Sequence, residues 1–198
     1  MDYPRIELSE LKTFAGRCRT LYKIQQKNGQ LVPFNFLQAQ AFFNDIVEEE
    51  FKRTKREFGY SSCKIIAVKP RQVGWTTYSN IRSLDTQIHD NGSNGAIAAH
   101  DNETTELVFR IYNRAFENLP DYVIPTINGK ELTVLEFFKE ELPKDRLDEL
   151  VHQVIESEGE AVANDYLNSI HKIKIKPRTK AHSGRQIEFP DNDSFTTI

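Results

Sequence analysis

The sequence predicts an α/β domain in which a parallel β-sheet is flanked by helices. Three observations predict it. Lys64 to Val68 is short, apolar and rich in β-branched residues, as a buried parallel strand is. A helical pattern follows from Thr76 to about His89, with Tyr78, Ile81, Leu84 and Ile88 on one side. Ala96-Ile97-Ala98-Ala99 then reads as a second buried strand, and another helix follows it. Strand, helix, strand, helix is how a parallel sheet with crossover helices begins.

The elements before the first strand read as helices. Leu8, Leu11, Phe14, Cys18, Leu21 and Tyr22 recur at three- and four-residue steps, which predicts an amphipathic helix over 8–27, stopped by Asn28-Gly29. Pro33 opens an extended entry, PFNF, into a second helix. Leu37, Phe43, Ile46, Val47 and Phe51 carry that helix, and its charged tail runs to Gly59. Between the two strands, DNGSNG at 90–95 ends the helix begun near Thr76. After the second strand, Asp101 or Asn102 caps a helix through Leu107, Val108, Ile111 and Ala115, ending near Asn118-Leu119-Pro120.

Residues 126–170 change character. Glu131 to Leu142, Arg146 to Ser157 and Glu160 to Ile170 read as acidic helices without strand signals, a helical insertion or lid. HKIKIK at 171–176 alternates like a half-exposed strand. RQIEF at 185–189 predicts a strand and DNDS a turn into FTTI, where the chain stops in what reads as the middle of a strand pair. The expected organisation is therefore 1–60 N-terminal helices, 61–125 a strand-loop-helix core, 126–185 insertion, and 186–198 a following, incomplete strand.

Composition excludes several classes. The 198 residues suffice for a real core, and 28% charged residues fit a water-facing protein. No apolar run approaches the roughly 20 residues that span a bilayer. The start, MDYPRIELSE, has no signal-peptide pattern. Cys18 and Cys63 have no CxxC spacing and read as reduced thiols of a cytosolic protein. The five histidines show neither HExxH nor paired metal spacing, and no GxSxG elbow occurs. Net charge is −3, but residues 1–80 carry +5, 81–168 carry −11 and 169–198 carry +3. The basic ends can line a phosphate or DNA path, or be ordinary solvated surface.

The candidate site is KPRQVGWTT at 69–77. A phosphate-binding loop reads GxxxxGK[ST] between a strand and a helix. Its backbone N–H groups cradle phosphates, its Lys neutralises charge and its hydroxyl holds Mg²⁺. Aligned on that pattern, Gly74 falls on the second Gly and Thr76 on the Ser/Thr position, while Trp75 takes the place of the Lys. Lys69 and Arg71 are cations on the same loop, and Arg offers phosphate a bidentate fork.

These residues resemble the deviant Walker A loop of the large terminase subunit, the ATPase motor that packs DNA into tailed-phage and herpesvirus capsids. That family often writes the loop K-x-R-Q-x-G-x-[ST]-[ST], and Lys69, Arg71, Gln72, Gly74, Thr76 and Thr77 match. GQLVPFNFLQAQAFF at 29–43 is similar to the segment before the loop in terminases, where a Gln recognises adenine; Gln40 is the better match and Gln38 the second. AIAAHDNETTELVFRIYNRAFENLP at 96–120 resembles the family's second strand and following helix, and IEFPDNDSF at 187–195 a later strand and turn, without the family's usual Asn-Gly-Ser. The resemblance covers about 1–125 and 186–198.

The resemblance implies a P-loop NTPase of the ASCE type, truncated here, which binds ATP and Mg²⁺ through Gln40, Lys69, Arg71, Gln72, Val73, Gly74, Trp75, Thr76 and Thr77, with Thr76 on the metal. Its implied partners are double-stranded DNA, a portal ring and a small terminase subunit, in an oligomeric ring at the procapsid portal in host cytoplasm. A Walker B strand ending in Asp-Glu is missing. The near match RLDEL at 146–150 has no apolar strand before it, and Leu147, Leu150, Val151 and Val154 space as a helix face. The alternatives are a truncated or degenerate nucleotide-binding module without turnover, and a helicase-like ATPase, against which the missing GK[ST] lysine counts.

Overall fold

The structure, a computed structural model, describes residues 2–60, 64, 73–90, 92–96, 98–99, 101–180, 182–183 and 186–197. Its elements begin with β1 (Arg5–Glu7), α1 (Leu8–Leu11), α2 (Phe14–Thr20), β2 (Lys23–Gln25), β3 (Leu31–Pro33) and α3 (Gln38–Phe58). They continue with α4 (Trp75–His89), β4 (Asn94–Ala96), α5 (Asn102–Glu117), β5 (Tyr122–Ile127) and β6 (Lys130–Glu131). The remainder is α6 (Val134–Glu141), α7 (Lys144–Glu158), α8 (Glu160–Asn168), β7 (Ile173–Lys174), β8 (His182–Ser183), β9 (Gln186–Phe189) and β10 (Ser194–Thr197). This is a mixed α/β protein with both parallel and antiparallel strand pairs. No helix of the described residues is long and apolar enough to cross a membrane.

The chain divides into two compact units. One joins Met1–Lys12 to Pro120–Lys176; the other joins Thr13–Leu119 to Pro177–Ile198. In the first, β5 is the central strand. β1 pairs with it in parallel, Arg5 opposite Ile124, while β6 and β7 pair with it antiparallel. Ile6, Leu8, Val123, Ile124, Leu132, Val134, Leu147, Ala163, Leu167 and Ile175 are the buried apolar residues of this unit's strands and helices. Helix α6 starts at a capping box: the Thr133 hydroxyl accepts from the Glu136 N–H, and Glu136 accepts from the Thr133 N–H. That backbone bond, with Lys130 alongside, holds the Glu136 carboxyl down to about 2.

Several expected elements take a different form. The helix expected over 8–27 is two short helices and a strand. Thr13 breaks it by capping α2 through its hydroxyl, 3.1 Å from the Gly16 N, and Lys23–Gln25 turns back on Leu31–Pro33 through Gly29 at φ 86°. The apolar steps run on across the break because Leu8 serves one core and Phe14, Cys18, Leu21 and Tyr22 the other. Residues 126–170 are not free of strands either, since Tyr122–Ile127 and Lys130–Glu131 form a hairpin. Its Asn128-Gly129 turn has positive φ at both residues, 51° and 76°. Asn-Gly between β-prone runs is the strongest short hairpin signal, and it stands in the sequence. The alternation at 171–176 yields strand only at Ile173–Lys174.

In the second unit the long helices fall where the periodicity puts them: α3 ends on Gly59 in the left-handed conformation, and Asp101 caps α5. The second strand is shifted. β4 covers Asn94–Ala96, Ala98 and Ala99 lie beyond it, and all three alanines are exposed rather than buried. The sheet containing β4 is mixed, in the order β4-β10-β9-β8, with only the β4–β10 pair parallel among the described residues. The first expected strand, 64–68, lies outside the described residues apart from Lys64.

Candidate functional site

Gly74 is the N-cap of the 15-residue helix α4 and sits at φ 68°, ψ 17°, where L side chains are disfavoured. Among the described residues no side chain caps this helix start, and therefore no side-chain anion meets its first-turn N–H groups and the positive end of its dipole. The start of α5 differs, because the Asp101 carboxylate takes both the Thr104 N–H and the Thr104 hydroxyl, at 2.7 and 2.9 Å.

The two faces of α4 have different chemistry, and the split decides what each loop residue does. On one face Trp75 stands edge-on to Phe43, ring centroids 4.1 Å apart, and against Tyr78 at 5.8 Å. Tyr78 in turn meets Phe14 and Phe36 and donates its hydroxyl to Asn44 at 3.2 Å. Farther along, the Arg82 guanidinium lies 4.5 Å over the Phe14 ring and reaches Glu48 at 2.5 Å. Trp75 thus fills an aromatic cluster between α4 and α3. The residue occupying the lysine position is an anchor of the helix.

The other face is lined with small polar groups. Thr76, Ser79, Asn80 and Ser83 border a pocket of about 390 Å³. Ala96, Ala98 and Ala99 floor it, and Thr104 and Val108 of α5 close it. The Thr76 hydroxyl makes no hydrogen bond within the described residues, whereas its carbonyl accepts from Asn80 Nδ2 at 2.7 Å. Thr77 is half-buried on the same first turn, and Val73 precedes the cap. Serine and threonine at three- and four-residue steps after Gly74 are the sequence signal for this face; read only for its apolar side, the helix conceals it.

Gln40 is 3% exposed and joins two segments. Its Oε1 accepts the Leu37 N–H at 2.8 Å, and its Nε2 donates to the Gly74 carbonyl at 2.7 Å. A Cβ on Gly74 would lie 2.5 Å from that Nε2. The expected adenine-reading residue therefore clamps the end of the loop to the start of α3, while Gln38 is exposed on the first turn of α3. Lys69, Arg71 and Gln72 lie outside the described residues.

Below the site two polar clusters hold α4 in place. Arg17 donates to Asp85 through both arms, Nε at 2.8 Å and Nη2 at 2.6 Å, and the Tyr22 hydroxyl donates to the same carboxylate at 3.0 Å. Gln87 donates to the Phe195 carbonyl at 2.9 Å and accepts from Thr196 and Tyr112, which fastens β10 and α5 to α4. Burial pushes the Cys18 thiol up, with Asp85 adding to the effect, so Cys18 is an inert core residue. Among the described residues no group of three or more His, Cys, Asp or Glu is placed to hold a metal. A single hydroxyl such as that of Thr76 suits Mg²⁺, which keeps most of its waters and takes substrate phosphates as ligands. No protein-family model and no curated protein matches the chain.

Proposed function

We propose that the loop at 69–77 binds the phosphates of ATP with Mg²⁺, and that the chain is the ATP-binding part of a terminase large subunit, a P-loop motor that packages double-stranded DNA. The observation that carries this reading is the start of α4: a left-handed Gly74, a helix end without a side-chain cap among the described residues, and Thr76 on a polar pocket, with the Trp75 ring packed on Phe43 and Tyr78. A helix start of this kind binds phosphate through its N–H groups and dipole. In this reading Lys69 and Arg71 neutralise the β- and γ-phosphates, Gln72, Val73, Trp75 and Thr77 contribute loop backbone, and Thr76 supplies the hydroxyl ligand of Mg²⁺. Gln40, which also holds the end of the loop, is the side chain we assign to the adenine base, with Gln38 the second candidate. The portal ring and a small terminase subunit are the partners of the assembled motor.

Turnover needs a carboxylate to activate water. Among the described residues the pocket lining offers hydroxyl, amide and methyl groups, which favours a second reading: nucleotide binding without hydrolysis by this chain alone. ATP binding and hydrolysis, measured against Lys69→Ala and Arg71→Ala, separate the possibilities. Each substitution is expected to weaken binding about tenfold or more, the worth of a charge-assisted hydrogen bond. If neither weakens it, the loop assignment fails. Binding without hydrolysis supports the second reading.

A further inference from the structure

We propose that the exposed Tyr122 end of the β5–β7 pair is a platform for single-stranded nucleic acid, with Tyr122 stacking on a base and Lys172 and Lys174 holding phosphates. The inference is independent of the nucleotide site, and the residues concerned all belong to the unit formed by Met1–Lys12 and Pro120–Lys176. Tyr122 and Lys174 are directly opposed across the β5–β7 pair, so their side chains share a face. Lys172, two residues earlier, joins them, since side chains alternate along an extended chain. Farther along the same face Ile124 and Thr126 are buried, so the exposed part is the end formed by Tyr122, Lys172 and Lys174; the opposite face carries Val123, Ile173 and Ile175, of which Val123 and Ile175 are buried.

The rings on the open face are held in place. Tyr3 meets Tyr122 edge-on at 5.6 Å, and the Lys172 ammonium lies 5.1 Å over the Tyr3 ring. Lys172 therefore occupies Tyr3, while Tyr122, 37% exposed, still offers its ring. An exposed aromatic ring with lysines beside it on a sheet is the arrangement by which proteins stack unpaired bases and track the backbone. The acids of the same face lie at its far end and are engaged. Glu131 pairs with Arg5 at 2.5 Å, and Glu7 accepts from Gly129 N at 2.7 Å and from the Thr126 hydroxyl at 2.9 Å.

Charge supplies the second argument. Helices α6 to α8, residues 134–168, carry three basic and ten acidic residues. The segment His171–Lys176 carries three lysines and no acid. The segment is thus a run of positive charge without an acid beside it in sequence, which complements a phosphodiester chain. An acidic protein would be met by the charge but gives no use for the exposed ring.

The test is binding of a fluorescein-labelled oligo(dT) to the full chain, followed by anisotropy over a salt series. Lys172→Ala with Lys174→Ala is expected to weaken binding at least tenfold and to flatten the salt dependence by about 1.4 in log K against log salt, two phosphates' worth for a single strand. Tyr122→Leu is expected to weaken binding about tenfold, Tyr122→Phe to leave it unchanged. Thermal melts confirm that each variant is folded, and Tyr122→Phe covers the case in which Tyr122→Leu is not. The control pair Lys139→Ala with Lys144→Ala, on the acidic helices, should have no comparable effect. Absence of oligo(dT) binding overturns the proposal. So does an equal loss in the control pair, or preference for duplex that Tyr122→Leu leaves untouched.

Discussion

Gly74 and Trp75 show how adjacent residues of one loop divide the work of closing it and anchoring it. Gly74 needs φ 68° and stands where a Cβ would strike Gln40 at 2.5 Å. Gly74→Ala is therefore expected to cost about 1–3 kcal/mol, the left-handed penalty plus displacement of a buried amide, measured by urea unfolding. Trp75→Lys restores the usual phosphate-loop lysine on paper. Its ring, however, packs on Phe43 and Tyr78, and losing it is expected to destabilise the protein by about 3 kcal/mol. An increase in ATP affinity without loss of stability would show that Trp75 is not the anchor described here. The alignment exposed the missing lysine; only packing explains the tryptophan.

At the scale of the element, a buried ion pair holds α4 to α2. Asp85 has 4% and Arg17 16% of its side chain exposed. Arg17→Met leaves an uncompensated buried carboxylate and is expected to cost about 3 kcal/mol in chemical unfolding, and adding Asp85→Asn should recover much of that. His89, one turn beyond Asp85, makes the same helix pH-sensitive. Burial holds its pKa below the ordinary value, against the pull of Asp85 3.6 Å away. The folded state thus favours the neutral ring, and as pH falls through about 6.5 the unfolded chain takes the proton first. The stabilisation is present above that pH and declines toward the lower folded pKa. Melts between about pH 7 and pH 5 should slope downward with acid, and His89→Gln should flatten that slope.

Across the whole molecule, two cores are threaded by one chain that changes unit after Lys12, Leu119 and Lys176. The first core depends on the N-terminal strand, since Ile6 is 5% exposed and β1 completes the sheet beside β5. Ile6→Ala is expected to cost about 2–4 kcal/mol. Hydrogen exchange should speed at the amides of Tyr122–Ile127 and leave those of α4 unchanged. Equal loss of protection in α4 would mean that the two cores unfold together. The concentration of acid on α6 to α8 and of lysine on 172–176 belongs to this scale too, because it separates the two signs of charge along one unit's chain.

The sequence by itself determined the long helices, since α3, α4 and α5 follow the apolar period and the signals Asp101 and Gly59 that bound them. It also located Gly74 and Thr76 at the start of α4, because glycine and hydroxyl positions are read directly from local pattern. Tertiary structure alone decided where short strands pair and which core each apolar residue joins. The run Leu8 to Tyr22 looks like one helix because periodicity records amphipathicity and not the partner that covers it. The hold of Gln40 on Leu37 and on Gly74, 34 residues from the latter, likewise shows only in the fold. Hydrogen bonds and parallel pairs such as β4 with β10 join residues far apart in the chain, and their chemistry leaves little local trace in the sequence.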